Sequence, residues 1–399
     1  MRFEPTQIVS VFYQPDKQKI PVGRLALKSR KLYFEYDSGF VDSGIQLSPF
    51  KLPLGPGVIA SQDHTFDCLF GVFNDSLPDG WGRLLLDRNL IKHNINPGTL
   101  SVLDRLCFVG SNGMGALVYE PEQETSQPNN TLDLDQIAAE IALFQKNDDT
   151  QYIEDLLQLG GSSAGARPKV LVNIDNEEWL VKFRSTNDPI DIGAIEFAYY
   201  MMACEAGLET PTAKLFPAKA GPGYYGCKRF DRSQSARTHM HSTSGLLHAD
   251  HRLPSLDYET ILKASLHVTK NMQECLKQFR HCVFNVLSHN RDDHSKNFSL
   301  LMDQHGVWKI SPAYDLTFSS GPSGEHCTMI MGEGRHPGKE HLLALAETCS
   351  IKLTDAIAII EEVMAAVAKW DHFASDAGVS ADSKKMIAGE LDKIAADYF

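Results

Sequence analysis

The stretch Ser288-His289-Asn290-Arg291-Asp292-Asp293-His294-Ser295-Lys296-Asn297 decides how the rest of the chain is interpreted. Phosphoryl transfer to a hydroxyl needs a carboxylate that accepts the hydroxyl proton. It also needs an amide oxygen and a second carboxylate that hold magnesium against the nucleotide phosphates. Protein kinases place the first two as Arg-Asp, four residues, Asn. Arg291, Asp292 and Asn297 reproduce this spacing, and Asp315 follows after a short gap, so we predict Asp292 as the base and Asn297 and Asp315 as metal ligands.

Composition is that of a globular protein with two or three domains. The 399 residues are 43% hydrophobic and 22% charged, and apolar runs stop far short of the ~20 residues that cross a bilayer. The eight cysteines include no Cys-x-x-Cys pair, and the N-terminus lacks the apolar segment of a signal peptide, so we expect reduced thiols in a cytoplasmic protein. The net charge of −13 argues against a surface that binds nucleic acid throughout, and it leaves a local basic patch or a basic partner open.

A polar stretch at 121–130 is the best candidate for a linker. The residues before it predict three short strands, a helix and a glycine-bearing compact turn, at 8–13, 23–27, 32–36, 83–91 and 103–117. The residues after it predict two helices, a strand pair, a third helix and a strand, at 133–144, 152–159, 170–173, 178–183, 192–206 and 224–232. Further helices are predicted at 256–262, 264–266 and 272–287. We therefore divide the chain into a β-rich N-terminal subdomain (1–120), a small lobe (131–235) and a helical lobe (236–399).

The small lobe carries a lysine inside an apolar strand, Trp179-Leu-Val-Lys-Phe183. In a kinase such a lysine faces the α- and β-phosphates and is held by a carboxylate on the next helix. Lys182 and Glu196 are the candidates for this pair. The alternative is an exposed lysine on an edge strand.

Two further segments allow a functional and a structural interpretation. The glycine-rich loop Gly161–Lys169 could aim backbone N–H groups at phosphate oxygens, but it has neither the Walker spacing nor that of ordinary protein kinases, and a tight turn would explain it equally well. The segment 237–252 contains His239, His241, His248, Asp250 and His251. Zinc could use such a set, yet the spacing matches no common zinc site, and we favour hydrogen-bonded loop histidines.

Taken together, these motifs resemble those of the HipA-type serine/threonine kinases, which are toxins of bacterial toxin–antitoxin pairs. The resemblance covers nearly the whole chain. It is carried by an N-terminal signature, a phosphate loop, an interlobe strand, a catalytic loop and a magnesium motif, at Asp75–Gly82, Ser162–Lys169, Arg229–Arg232, Asp292–Ser299 and Pro312–Asp315. It implies an α+β, protein-kinase-like fold of two lobes, with an N-terminal α/β part, a small β-rich subdomain and an all-α C-terminal lobe.

The resemblance also implies that ATP and magnesium bind between the lobes. It assigns ATP contacts to the phosphate loop, the strand lysine, the interlobe strand and the catalytic loop: Ala164, Gly165, Ala166, Arg167, Lys169, Lys182, Lys228, Arg229, Phe230 and His294. Lys296 would neutralise charge on the transferred phosphate beside Asp292. The loop departs from better-known members at Arg167-Pro168, where they carry other polar residues, and in its two adjacent serines, which leaves the position of autophosphorylation open by one residue.

Members of this family phosphorylate a serine of an aminoacyl-tRNA synthetase, best known for glutamyl-tRNA synthetase, and so arrest growth. They also autophosphorylate a serine of the phosphate loop, which here is Ser162 or the adjacent Ser163. The implied partner is a HipB-like helix-turn-helix antitoxin that binds operator DNA. Two alternatives stay open, namely a small-molecule phosphotransferase with the same catalytic residues and a catalytically silent co-repressor.

Overall fold

The computed structural model describes residues 5–123, 133–147, 153–160, 165–234, 236–396 and 398. The strands are β1 (Ile8–Tyr13), β2 (Ile20–Lys28), β3 (Lys31–Tyr36), β4 (Val58–Ala60), β5 (Leu117–Glu120), β6 (Lys169–Ile174), β7 (Glu177–Lys182), β8 (Ala213–Phe216), β9 (Tyr224–Lys228), β10 (Arg232–Ser233), β11 (Ala236–Arg237), β12 (His239–Ser242), β13 (Leu256–Asp257), β14 (Ser299–Met302), β15 (Trp308–Ile310) and β16 (Thr328–Met329). The α-helices are α1 (Ser38–Ser43), α2 (Gly71–Asn74), α3 (Gly80–Lys92), α4 (Val102–Val109), α5 (Leu134–Asn147), α6 (Ile153–Gly160), α7 (Ile192–Glu205), α8 (Thr243–Leu247), α9 (Tyr258–Thr269), α10 (Met272–Leu287), α11 (Lys339–Thr348), α12 (Leu353–Val367), α13 (Trp370–Ala377) and α14 (Ala381–Ala396).

The N-terminal part is built on an antiparallel sheet in the order β4-β3-β2-β1-β5. Its strands alternate as predicted: Val9, Val11 and Tyr13 of β1 are buried, while the residues between them are half-buried. The predicted compact turn at 103–117 is wrong in its first half, which is helix α4. The glycines of that segment are typical of a turn, but they all follow the helix. The helix begins after Ser101, whose hydroxyl forms a reciprocal capping box with Asp104.

The small lobe is a second antiparallel sheet in the order β6-β7-β9-β8. The register pairs Lys169 with Lys182, so the end of the glycine-rich loop lies beside the strand lysine. The predicted strand at 224–232 is shorter than expected and ends at Lys228. Helix α7 follows β7 in sequence, but its buried residues belong to the core of the helical lobe, where they pack with α9, α10, α12 and α13.

The third part is helical apart from three short sheets. One buried apolar cluster contains residues of α7 and of every helix from α9 through α14. Helix α10 occupies the predicted range 272–287. The predicted loop histidines at 239 and 241 lie instead in β12, the edge strand of the sheet β12-β14-β15. In the part of the chain that the structure describes, no helix has both the length and the apolarity to cross a bilayer.

Packing also crosses the predicted boundary at 120. Trp81 and Leu85 of α3 belong to the same buried cluster as Phe144 of α5 and Val170 of β6. Helix α3 therefore packs against the small lobe although it precedes the linker. The predicted division into three domains stays a prediction.

Candidate active site

The strand lysine lies where the sheet of the small lobe meets the helical lobe. The ammonium of Lys182 donates to the carboxylates of Glu196 on α7 and Asp315 of the helical lobe. Asp315 lies 133 residues away in the sequence, and its φ of +58° is in the left-handed region, which Asp tolerates better than most residues. The structure thus brings together three predicted site residues.

Two anions around one cation determine the protonation of this cluster. Burial disfavours the ammonium, but Asp315 and Glu196 outweigh it and raise the pKa of Lys182. Burial likewise works against ionised Asp315, but Lys182 and Lys169 hold the pKa of Asp315 well below its usual range. Burial raises the pKa of Glu196 even beside the ammonium. We expect the proton to stay on Lys182, because two carboxylates favour its charged form.

The two adjacent acids of the catalytic loop have opposite surroundings. Asp293 is fully buried, where its carboxylate accepts from Tyr258, His326 Nδ1 and the backbone N–H of Thr328. Asp292 is exposed to solvent, and the protein atoms around it raise its pKa, with His294 opposing and Asp315 adding to the shift. Asp293 therefore anchors the loop, whereas Asp292 is the acid that a substrate can reach.

Two side-chain hydrogen bonds to backbone carbonyl oxygens hold the rest of the catalytic loop. Asn297 donates its side-chain N–H to the carbonyl oxygen of Asp292 at 2.7 Å. Tyr314, next to Asp315, donates its hydroxyl to the carbonyl oxygen of Lys296 at 2.6 Å. These two contacts tie the loop together and join it to the segment that carries Asp315.

Sequence reasoning missed Asp79, which lies just before α3. Its carboxylate accepts from the backbone N–H of Gly165 and, at 2.5 Å, from the ammonium of Lys296. Burial opposes its charge, but Lys296 outweighs burial and lowers the pKa of Asp79. The signal was present, because Asp79 belongs to the N-terminal signature at 75–82. The sequence offered no way to connect that signature with a lysine 217 residues away.

Several predicted ATP contacts are occupied by other partners. Arg167 forms an ion pair with Asp188 at 3.1 Å, and Lys228 pairs with Glu177 at 2.6 Å. The guanidinium of Arg229 is buried and bonded to Asp231 and Glu178. A role in ATP binding, at the phosphates for Arg167 and on the adenine side for Lys228 and Arg229, would require these side chains to exchange partners, so their assignment stays a prediction.

The structure describes most of the remaining predicted ATP contacts and gives them other surroundings. Phe230 packs on the ring of Tyr314 with 5.4 Å between centroids, and His294 packs on His251 at 5.5 Å. Lys169 is buried, and burial lowers its pKa. Gly165 and Ala166 lie beside Asp79 and Gly80. Three predicted residues, Ser162, Ser163 and Ala164, lie outside the described part of the chain.

The histidine-rich segment connects the N-terminal part with the helical lobe. His241 bonds to Asp75 at 2.6 Å and to Ser48 at 3.0 Å, and His248 bonds to Asp63 at 2.8 Å. Ser48, His241 and Asp75 are hydrogen-bonded one to the next, as in the Ser-His-Asp triad of a hydrolase. However, Ser48 is 1% and His241 0% exposed, so a substrate could not reach the hydroxyl. Among the described residues no cluster of three or more His, Cys, Asp or Glu side chains is suited to a metal ion.

Two family models match this chain. The model for the HipA-like C-terminal domain matches residues 161–370, more than half of the chain, and the model for the HipA N-terminal domain matches residues 17–120. A relative from Sinorhizobium fredii (strain NBRC 101917 / NGR234), named "Putative kinase Y4dM", is 27% identical over 151 residues. That match spans 35% of this chain and 36% of the relative, about a third of its length.

A solved structure that matches nearly the whole chain gives the fold. A chain of the Shewanella oneidensis MR-1 toxin–antitoxin complex of HipA, HipB and operator DNA superposes with a TM-score of 0.69, at 15% identity, over 97% of this chain and 96% of its own. The Helicobacter pylori proinflammatory kinase CtkA matches with a TM-score of 0.42 and 14% identity over 59% of this chain and 89% of its own. The predicted α+β, kinase-like fold is confirmed. This chain belongs to the HipA family.

Proposed function

We propose that this chain is an ATP- and magnesium-dependent serine/threonine protein kinase that acts as the toxin of a toxin–antitoxin pair. The observation that carries the proposal is the contact of Lys182, on the sheet, with Asp315, from the helical lobe. A nucleotide triphosphate between these elements would meet a cation on one side and oxygen ligands on the other, as phosphoryl transfer requires.

The side chains around this contact provide the groups for the reaction. Asp292 accepts the proton of the attacking hydroxyl, because it is the accessible acid of the loop. Lys182 and Lys169 attract the phosphates, and Lys296 neutralises charge on the group in transfer. An acceptor that reaches Asp292 from solvent can be as large as a protein segment.

Magnesium suits the available donors. Asp315 stays ionised beside two lysines, and the amide nitrogen of Asn297 is used by Asp292, so its amide oxygen is the atom available to a cation. Carboxylate and amide oxygens are hard ligands of the kind that magnesium prefers, usually together with substrate phosphates. Bound magnesium would offset the negative charge of the phosphates.

The target and the partner follow from the family. We propose a serine of a translation component as the substrate, with an aminoacyl-tRNA synthetase such as glutamyl-tRNA synthetase as the first candidate. A HipB-like DNA-binding antitoxin would neutralise the kinase, and the Shewanella oneidensis complex of HipA, HipB and operator DNA supports this choice. The net charge of −13 favours a basic partner.

Autophosphorylation of the phosphate loop would switch the kinase off. A phosphoserine at Ser162 or Ser163 could not share the loop with ATP phosphates, because like charges at such short range repel. We expect the wild type to label itself with radioactive ATP and the double variant Ser162→Ala, Ser163→Ala not to do so. Labelling elsewhere in the double variant would remove the loop switch from the proposal.

The test of the function is the variant Asp292→Asn. It should bind ATP as the wild type does and lose phosphoryl transfer by about a hundredfold or more, because the general base is gone. Expression without the antitoxin should arrest growth with the wild type only, and phosphoproteomics after brief induction should name the substrate. Toxicity of Asp292→Asn would refute the assignment. Labelling of a sugar or an antibiotic in place of proteins would point to a small-molecule phosphotransferase.

A further inference from the structure

Residues Asp79–Trp81, here called the loop latch, exchange two hydrogen bonds with the glycine-rich loop. Gly165 donates its backbone N–H to Asp79, and its carbonyl oxygen accepts the backbone N–H of Trp81 at 3.0 Å. A single loop residue is therefore held through both its donor and its acceptor. The latch precedes the linker of the chain, so the N-terminal part fixes a loop that belongs to the small lobe.

Asp79 occupies the N-cap position of α3 without capping it. An N-cap aspartate normally accepts an N–H from the first turn of its own helix, which contributes about 1 kcal/mol. Here no side-chain cap bond forms, and the carboxylate is turned towards Gly165 and Lys296. The free N–H of Trp81 in that first turn is satisfied instead by the carbonyl oxygen of Gly165. The start of α3 and the glycine-rich loop thus satisfy each other's hydrogen-bonding groups.

The second oxygen of Asp79 reaches the catalytic loop. It accepts from the ammonium of Lys296 at 2.5 Å, and His251 Nε2 lies 3.6 Å away. Lys296 is cationic, so the carboxylate has a charge-assisted bond on this side and a backbone bond on the other. One side chain bridges the two loops between which a triphosphate would lie.

Gly80 shows that the close approach is built into the backbone. Its φ is +40°, and a Cβ placed on it would lie 2.5 Å from the carbonyl oxygen of Gly165 and 2.7 Å from Cα of Ala166. Only glycine lets the two backbones come so near.

We propose that Asp79 is a positioning residue for phosphoryl transfer, which sets the glycine-rich loop and the ammonium of Lys296 in register with each other. Its part in catalysis rests on the proposed kinase function, whereas its hold on the loop does not. Asp79 acts through Gly165 and Lys296 and does not itself touch the phosphates.

Two measurements on the full-length chain test this. The first is hydrogen–deuterium exchange of the amides of 165–167 without nucleotide, for the wild type, Asp79→Ala, Asp79→Asn and the control Asp87→Asn. Asp87 lies on α3 and pairs with Arg105 of α4 at 2.8 Å, so its variant removes a carboxylate of the same helix that also has a cationic partner. The second is steady-state transfer of the ATP phosphoryl group, with magnesium, to the protein acceptor that phosphoproteomics identifies. It separates kcat from KM for ATP and is accompanied by the melting temperature of each variant.

We expect Asp79→Ala to raise exchange in 165–167 by about tenfold, and Asp79→Asn to raise it less, because asparagine keeps one acceptor oxygen for two donors. Both should lower kcat by about tenfold or more, with KM for ATP within about threefold, since orientation and not binding is lost. Asp87→Asn should change neither.

Unchanged exchange and kcat in both Asp79 variants would overturn the proposal, as would equal losses in Asp87→Asn. If Asp79→Ala fails to fold, the asparagine variant decides on the same terms. A wild type that phosphorylates neither itself nor any protein of a cell extract would refute the kinase function and the catalytic part of the proposal. The exchange data would then still show whether Asp79 holds the loop.

Discussion

At the scale of single residues, the site depends on which of several similar side chains remains accessible. Asp292 and Asp293 are neighbours of the same type, yet only Asp292 faces solvent, because Asp293 is surrounded by Tyr258, His326 and Thr328. The spacing Arg-Asp-x4-Asn predicts Asp292 as the base, and Asp292 is the exposed one of the two. Its catalytic role stays a prediction. The anchoring role of Asp293 has no sequence signal, since its partners come from three distant segments.

Lys182 provides a prediction at this scale. Lys182→Met removes the cation between Glu196 and Asp315 and leaves two carboxylates facing each other. We expect the affinity for ATP to fall by about tenfold or more, because a cation facing the phosphates is lost. Calorimetric titration with ATP measures the change. Lys214→Met, an exposed lysine two strands away, is the control and should bind as the wild type does.

At the scale of elements, the sequence located helices and strands better than the contacts between them. Helix α10 was predicted at its observed bounds, because its apolar positions recur at helical spacing and Asn271 caps its start. Helix α4 was missed, because Gly110, Gly113 and Gly115 suggested a turn over the whole segment. Contacts such as that of Asp79 with Lys296 could not be predicted, because pattern reasoning reads neighbours in sequence and not in space.

The contact between α2 and α8 provides the second prediction. A Cβ on Gly71 would lie 2.0 Å from the carbonyl oxygen of Gly245, so backbone must move in Gly71→Ala. We expect the free energy of unfolding to fall by about 2 kcal/mol or more. Denaturant titration measures it.

Gly389→Ala is the matched control for this change. Gly389 is exposed inside α14, and nothing lies within 4 Å of its added Cβ. This variant should be more stable than the wild type by about 0.5 to 1 kcal/mol. A loss of stability in Gly71→Ala no larger than the change at Gly389 would contradict the tight contact.

At the scale of the whole molecule, buried histidines predict lability in acid. Burial lowers the pKa of His239, His251 and His281 to about 4. The unfolded chain takes up protons below about pH 6.5, but the folded chain does so only near pH 4. Stability is therefore complete above pH 6.5 and falls as the pH drops towards 4, by about 1.4 kcal/mol per pH unit for each histidine.

Thermal melting between pH 7 and pH 5 checks this prediction. His281→Asn should make the dependence of the melting temperature on pH shallower, because one of these three imidazoles, two buried and one half-buried, is gone. His305→Asn, at an exposed position, should leave the dependence unchanged. An identical pH dependence in the wild type and His281→Asn would show that this imidazole does not remain neutral in the folded chain.

Helix α7 has a consequence for how the protein can be controlled. Its apolar residues, among them Ala198, Tyr199 and Met202, are embedded in the core of the helical lobe, while Glu196 on the same helix holds the lysine of the sheet. An outward movement of this helix, as in the inactive state of some kinases, would here disrupt the largest apolar core among the described residues. We therefore expect inhibitors and natural regulators of this chain to act on segments that bury less apolar surface than α7. A compound designed to displace α7 would have to compensate for the loss of that burial.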